Sequence, residues 1–103
     1  MKLSAALAVT LAAVAVTPHV RITARAPLQL SGSGFRAGEL VSVKVAYADE
    51  TQRRKARASN TGAFSVRFRG IRLARCGRDL DVTASGNRGS RVRYTLHQLA
   101  CAS

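Results

Sequence analysis

Aromatic side chains are scarce in this sequence, which has three Phe, two Tyr and no Trp. The pattern around Phe35, Phe64, Phe68, Tyr47 and Tyr94 assigns most of them to a core or a turn. Few rings remain for the outward stacking platform on which single-stranded nucleic acid is held, so no specific nucleic-acid partner is expected. Histidine is limited to His19 and His97. Nucleophilic catalysis needs a base beside a nucleophile, with a third group orienting the base. The last hairpin could gather only His97, Asp79 or Asp81 and a serine, and neighbouring strands bring polar residues together without making a site. No catalytic residue is assigned and the chain is read as non-enzymatic. The five carboxylates, Glu39, Asp49, Glu50, Asp79 and Asp81, form no calcium-like cluster, and the two cysteines lack ligand spacing with the histidines. No metal and no cofactor is expected.

Long apolar runs are absent beyond the first residues. Lys2 is followed by Leu3 to Val16, fourteen residues without charge and with only Ser4 and Thr10 as polar interruptions. A membrane-spanning helix needs about 20, and Pro18, His19 and Arg21 end the run early. The segment reads as a cleaved signal peptide. The small-residue pattern Ala13-Val14-Ala15 suggests cleavage before Val16, with the next residues as fallback sites, giving a signal over 1–15 and one domain over 16–103. No cysteine follows the apolar run to be acylated. The mature chain is expected to be soluble, monomeric, and secreted or associated with the cell surface.

In an exported chain Cys76 and Cys101 are expected to be bonded to each other. They enclose a loop of 26 residues, and closing such a loop stabilises by about 3 to 4 kcal/mol on a chain-entropy argument. That contribution is large for a domain of this size, which buries only about 60 to 65% of its unfolded surface.

What the chain does have is positive charge: fourteen Arg and three Lys, for a formal net charge of +12. Such a surface attracts acidic polymers, and outside a cell these include anionic wall or surface polymers, anionic lipid head groups and released nucleic acid. The residues expected to make that contact are Arg53, Arg54, Lys55, Arg57, Arg67, Arg69, Arg91 and Arg93, all read as pointing outward from strands. Arginine forks suit phosphate.

Those strands follow from period-two alternation, the only periodicity present after Pro18. Val20, Ile22 and Ala24 alternate with Arg21, Thr23 and Arg25, and Pro27 then interrupts, as suits an edge strand or a crossing between sheets. Leu28 and Leu30 begin a second strand. Val41, Val43, Val45 and Tyr47 make the third, and Asp49-Glu50-Thr51 reads as a loop. Arg53 to Ala58 is a weak strand whose charges would guard a sheet edge. Three more strands, around Phe64–Phe68, Leu80–Ala84 and Val92–Leu96, bring the number to seven. Gly86-Asn87-Arg88-Gly89 joins the last two as a hairpin.

Gly32, Gly34, Gly38 and Gly62 are read as turn glycines. The letters of Gly32-Ser33-Gly34-Phe35-Arg36-Ala37 fit a dinucleotide fingerprint, but no helix follows to receive a phosphate. The stretch Ser31-Gly32-Ser33-Gly34-Phe35-Arg36-Ala37-Gly38-Glu39 instead resembles the GxGFxxGE turn of bacterial, actinobacterial-type secreted immunoglobulin-like domains. Asn60-Thr61-Gly62-Ala63-Phe64-Ser65-Val66 and Val82-Thr83-Ala84-Ser85-Gly86 resemble later segments of the same group, in the same order. The group is loose and includes IPT/TIG-like and neocarzinostatin-like sandwiches. The resemblance implies an all-β, immunoglobulin-like β-sandwich of about seven strands. It also implies an alternative role, since neocarzinostatin-like apoproteins carry a small ligand in a cleft. Those apoproteins have two disulfides and tend to be acidic, whereas this chain has Tyr47-Ala48-Asp49-Glu50 where a cysteine would stand, and is basic. The expected role is that of a non-enzymatic interaction, adhesion or structural module at the cell envelope.

Overall fold

The computed structural model describes residues 17–102; the segment read as a signal peptide, and its cleavage point, lie outside them. Seven strands follow in chain order: β1 (His19–Arg25), β2 (Leu28–Ser33), β3 (Leu40–Tyr47), β4 (Glu50–Arg57), β5 (Phe64–Phe68), β6 (Leu80–Gly86) and β7 (Arg91–Leu96). Every pairing is antiparallel. The strands form a three-stranded sheet, β1-β2-β5, and a four-stranded sheet, β4-β3-β6-β7.

Alternation decides what lies between the sheets. Leu28 and Leu30, Phe64, Val66 and Phe68 turn inward from one sheet; Val41, Val43, Val45, Leu80, Val82 and Ala84 turn inward from the other. Two apolar faces stacked in this way make a sandwich, and each fully buried Val, Leu or Phe side chain contributes about 1.5 to 3 kcal/mol. β1 runs beside β7 and β4 beside β5, which closes both open sides. Phe35 and Phe64 meet edge to face, with ring centroids 5.0 Å apart, and cover one end. The other end is plugged by Ile71 and Leu73, carried on the segment between β5 and β6. Their backbone is tied in: Leu28 donates to the Ile71 carbonyl and Leu73 to that of Arg25, both at 2.8 Å.

Several local expectations are corrected. Glu50 and Thr51 are not loop residues but the start of β4, paired with Tyr47 and Ala46. The connection is the two-residue turn Ala48-Asp49, with Ala48 at φ 56°, the kind of tight link that an antiparallel pair tolerates. β4 itself is a full strand of eight residues. Its exposed side chains add little, and its place is secured by the unbroken ladder to β3. Pro27 does interrupt as expected: β1, an edge strand, ends at Arg25, and Pro27 lies in the β1–β2 turn. A bulge between Ile22 and Ala24 shifts the register of β1, so Arg25 falls opposite Leu28, and its Nη1 donates to the Ala74 carbonyl at 3.0 Å. Gly32 is not in a turn. It lies inside β2, pressed against the Phe64 ring.

Gly62 does occupy a turn, at φ 79°, and a Cβ there would overlap the Phe35 carbonyl oxygen. The left-handed region alone costs a non-glycine residue about 1 to 3 kcal/mol. Gly62→Ala is therefore expected to lower stability by roughly that amount, read as a lower urea midpoint at unchanged slope. An unchanged midpoint would show that the turn relaxes freely.

Candidate functional site

The outward face of the four-stranded sheet is built by the residues that alternate with the core. Strand pairing lines them up in rows. One row reads Arg53 (β4), Lys44 (β3), Thr83 (β6), Arg93 (β7); the next reads Lys55, Ser42, Ser85, Arg91. Arg57 stands beyond the second row, opposite Leu40, and Thr51, Ala46, Asp81 and Thr95 make a row beyond the first. Residues within a row are about 4.8 Å apart, and rows about 6.7 Å apart, by strand geometry. Six cationic side chains thus share one face with a single carboxylate, Asp81.

Around the central Lys44 the face is low, because β3 and β6 otherwise present Ser42, Ala46, Asp81, Thr83 and Ser85, all short, whereas the edge strands carry long Arg and Lys. The depression that results has a volume of about 470 Å³ and is lined by Lys44, Ala46, Asp81, Thr83, Arg91, Val92 and Arg93. Asp81 accepts from Thr95 Oγ1 at 2.7 Å and lies 3.5 Å from Arg93 Nη2. Among the described residues, Lys44, Arg53, Lys55 and Arg91 make no ion pair with a carboxylate. No aromatic side chain belongs to this face: Tyr47 and Tyr94 fall on the core side and pack against it.

The residues expected to contact an anionic polymer are therefore divided. Arg53, Lys55, Arg57, Arg91 and Arg93 come together here. Arg54 does not point the same way, since it pairs with Val43 and shares the inward side with Ala56, remaining exposed only because β4 is an edge. An inward charge at an edge discourages pairing with a further strand. Arg67 belongs to the opposite sheet, beside Gln29, and Arg69 follows the end of β5. Lys44, absent from the expected set, stands at the centre. Its alternation between Val43 and Val45 marks it as outward, but only the strand order places it between Arg53 and Arg93.

The β2–β3 connection, which crosses between the sheets, and the β6–β7 hairpin are tied together at one end of this face by Glu39, which is completely buried. Oε1 accepts from the Arg36 backbone N–H at 3.0 Å; Oε2 accepts from those of Arg88 and Ser90 at 2.8 and 3.2 Å. Burial pushes its pKa up, but hydrogen bonds from Ser90, Arg36 and Arg88 outweigh that and hold it at about 2. Gly86 makes room for it, because a Cβ there would overlap the carboxylate. Leu40 and Asn87 exchange two further hydrogen bonds across the same junction.

The histidines make separate contacts. His19 Nε2 meets Ser33 Oγ at 2.7 Å, and His97 Nδ1 meets Asp79 Oδ2 at 3.0 Å. Asp79 is held below the usual carboxylate range by the Gln98 N–H and by His97. The two pairs lie at opposite ends of β1, because His19 begins that strand while Arg25, which ends it, reaches Gln98 beside His97. The strand of seven residues spans about 20 Å, so serine and carboxylate are not brought to one imidazole. No group of three His, Cys, Asp or Glu converges among the described residues.

Cys76 and Cys101 form a disulfide, with Cα atoms 4.9 Å apart. No helix among the described residues is long and apolar enough to cross a membrane. Comparison with protein-family models, with curated proteins and with solved structures finds no match to the chain.

Proposed function

We propose that this chain is an exported, monomeric, immunoglobulin-like module of the cell envelope that holds anionic wall or surface polymers against the β4-β3-β6-β7 face. The observation that carries this reading is the gathering of Lys44, Arg53, Lys55, Arg57, Arg91 and Arg93 on one face with one carboxylate among them. The strand distribution supports the immunoglobulin-like part. The first, second and fifth strands share one sheet and the third, sixth and seventh the other, as in constant-type domains, with the fourth strand transferred to the second sheet. The disulfide supports export. Lys44, Arg91 and Arg93 put three cations against one carboxylate around the depression, which favours an anionic chain over the uncharged apolar passenger of a small-ligand carrier.

Titration of the purified mature chain with a polyanion at several salt concentrations tests the reading. Neutralising about four phosphates on a flexible strand gives a slope of log K against log salt of roughly −3. The combined substitution Arg53→Ala, Lys55→Ala, Arg91→Ala and Arg93→Ala is expected to abolish binding, while Arg21→Ala with Arg67→Ala on the other sheet leaves it largely intact. Binding indifferent to salt, or lost equally in both variants, would contradict the reading.

A further inference from the structure

The face is not a uniform field of positive charge. Its one carboxylate, Asp81, is set in the wall of the depression together with Lys44, Thr83, Arg91 and Arg93. Arg93 approaches Asp81 at 3.5 Å, a looser contact than the 2.7 Å hydrogen bond from Thr95. Half of the Asp81 side chain faces solvent, with a side-chain exposure of 42%. Its second oxygen, Oδ2, therefore has acceptor capacity left over beside Lys44 and Arg93, which stand in the adjoining row.

A carboxylate in this place acts differently on different anions. Toward a chain with phosphates packed shoulder to shoulder it is a like charge inside the binding site, and like charges a few ångströms apart repel even in high dielectric. Toward a chain in which phosphates are separated by hydroxyl-bearing carbons it is an acceptor for a hydroxyl, while the phosphates lie on the cations. The spacing of the face agrees with the second kind. The row Arg53, Lys44, Thr83, Arg93 and the row Lys55, Ser42, Ser85, Arg91 are about 6.7 Å apart along the strands, which is wider than adjacent phosphates of a polyphosphate can reach and suits a spacer of a few carbons. Both rows pair cations with hydroxyl donors, Thr83 in the first and Ser42 and Ser85 in the second. The face also lacks any ring on which a base could stack, which disfavours nucleic acid.

We propose that the depression selects polyol-phosphate chains, with successive phosphates on the two cationic rows and a hydroxyl of the next polyol unit, beyond the Lys44 row, donating to Asp81. This rests on the polyanion-binding reading above and narrows it to one chemical class. Asp81 is a specificity residue here: it adds little to total attraction and sets which anion fits.

The test is a competition on the intact mature protein between poly(glycerol phosphate), inorganic polyphosphate and single-stranded DNA, matched in phosphate concentration. Poly(glycerol phosphate) is expected to bind about fivefold tighter than polyphosphate, the size of one relieved like-charge contact. Asp81→Asn keeps the shape and an acceptor for Thr95, so it is expected to fold, which a thermal melt checks. It should bring the ratio close to one, chiefly by tightening polyphosphate. Equal binding of both polymers by the unsubstituted chain, an unchanged ratio in Asp81→Asn, or a preference for DNA would each overturn the proposal. Binding of all three without preference would leave the broader polyanion reading standing; binding of none would remove that as well.

Discussion

Glu39→Ala is expected to cost about 3 to 5 kcal/mol, because it empties a buried site and strips a charged acceptor from three half-buried backbone N–H groups, and hydrogen bonds to charged groups contribute about 1.5 to 3 kcal/mol each before water replaces part of the loss. Those groups belong to Arg36, Arg88 and Ser90. The loss compares with a total stability of about 5 to 15 kcal/mol for a domain of this kind. A pH profile separates the charge from the shape. The carboxylate has a folded pKa of about 2 against an ordinary value of 4.5. A group depressed on folding stabilises fully above its unfolded pKa and loses that contribution as pH falls through the folded one. Stability should therefore be level above about pH 4.5 and drop by roughly 3 kcal/mol towards pH 2. Asp79, also held low, acts in the same direction at the exposed end. Glu39→Gln, which fills the same space, starts less stable and should lack most of this acid slope. Urea midpoints measured between pH 2 and pH 7 check it, and parallel curves for the two proteins would contradict the role given to Glu39.

The second large effect is expected at the disulfide. Replacing Cys76 and Cys101 with Ser opens a closure spanning a sequence separation of 25, and the gain in unfolded-chain entropy corresponds to about 3 to 4 kcal/mol. What the bridge holds in the native state is the carboxyl-terminal tail. Gly77 donates to the Leu99 carbonyl at 2.7 Å, and Gln98 bonds to Arg78 and Asp79, contacts that are solvent-exposed and weak alone. Amide exchange in the reduced or substituted protein should rise first over residues 97–102 and 76–79, ahead of β3 and β6. Chemical unfolding with and without reductant measures the loss. An unchanged midpoint would mean that the exposed contacts suffice without the bridge.

How far these features can be read from residues alone depends on how local their causes are. Val41, Val43 and Val45 announce β3 because period two is a property of the strand itself, and Phe64, Val66 and Phe68 do the same for β5. The outward course of Arg91 and Arg93 is legible for the same reason. Arg54 was legible too, since it shares parity with Ala56, but the density of charge around it hides the alternation. Which sheet a strand joins is a different matter. Arg67 and Arg53 look alike in sequence, and only long-range pairing sends β5 to β2 and β4 to β3. The central place of Lys44 has the same origin. Glu39 is the least visible of all, because the Arg88 and Ser90 N–H groups that justify burying a carboxylate come from 49 and 51 residues away. Ile71 and Leu73 were equally hidden, since the segment that carries them is neither strand nor helix.

The most direct test of the account is to follow backbone amide and arginine side-chain resonances of the labelled protein during titration with poly(glycerol phosphate) at low salt. The account predicts shifts concentrated on Ser42–Ala46, Arg53–Arg57, Asp81–Ser85 and Arg91–Arg93, reversed when salt is raised. Shifts centred on Arg21, Ser31 and Arg67 of the other sheet, or spread evenly over both, would contradict it.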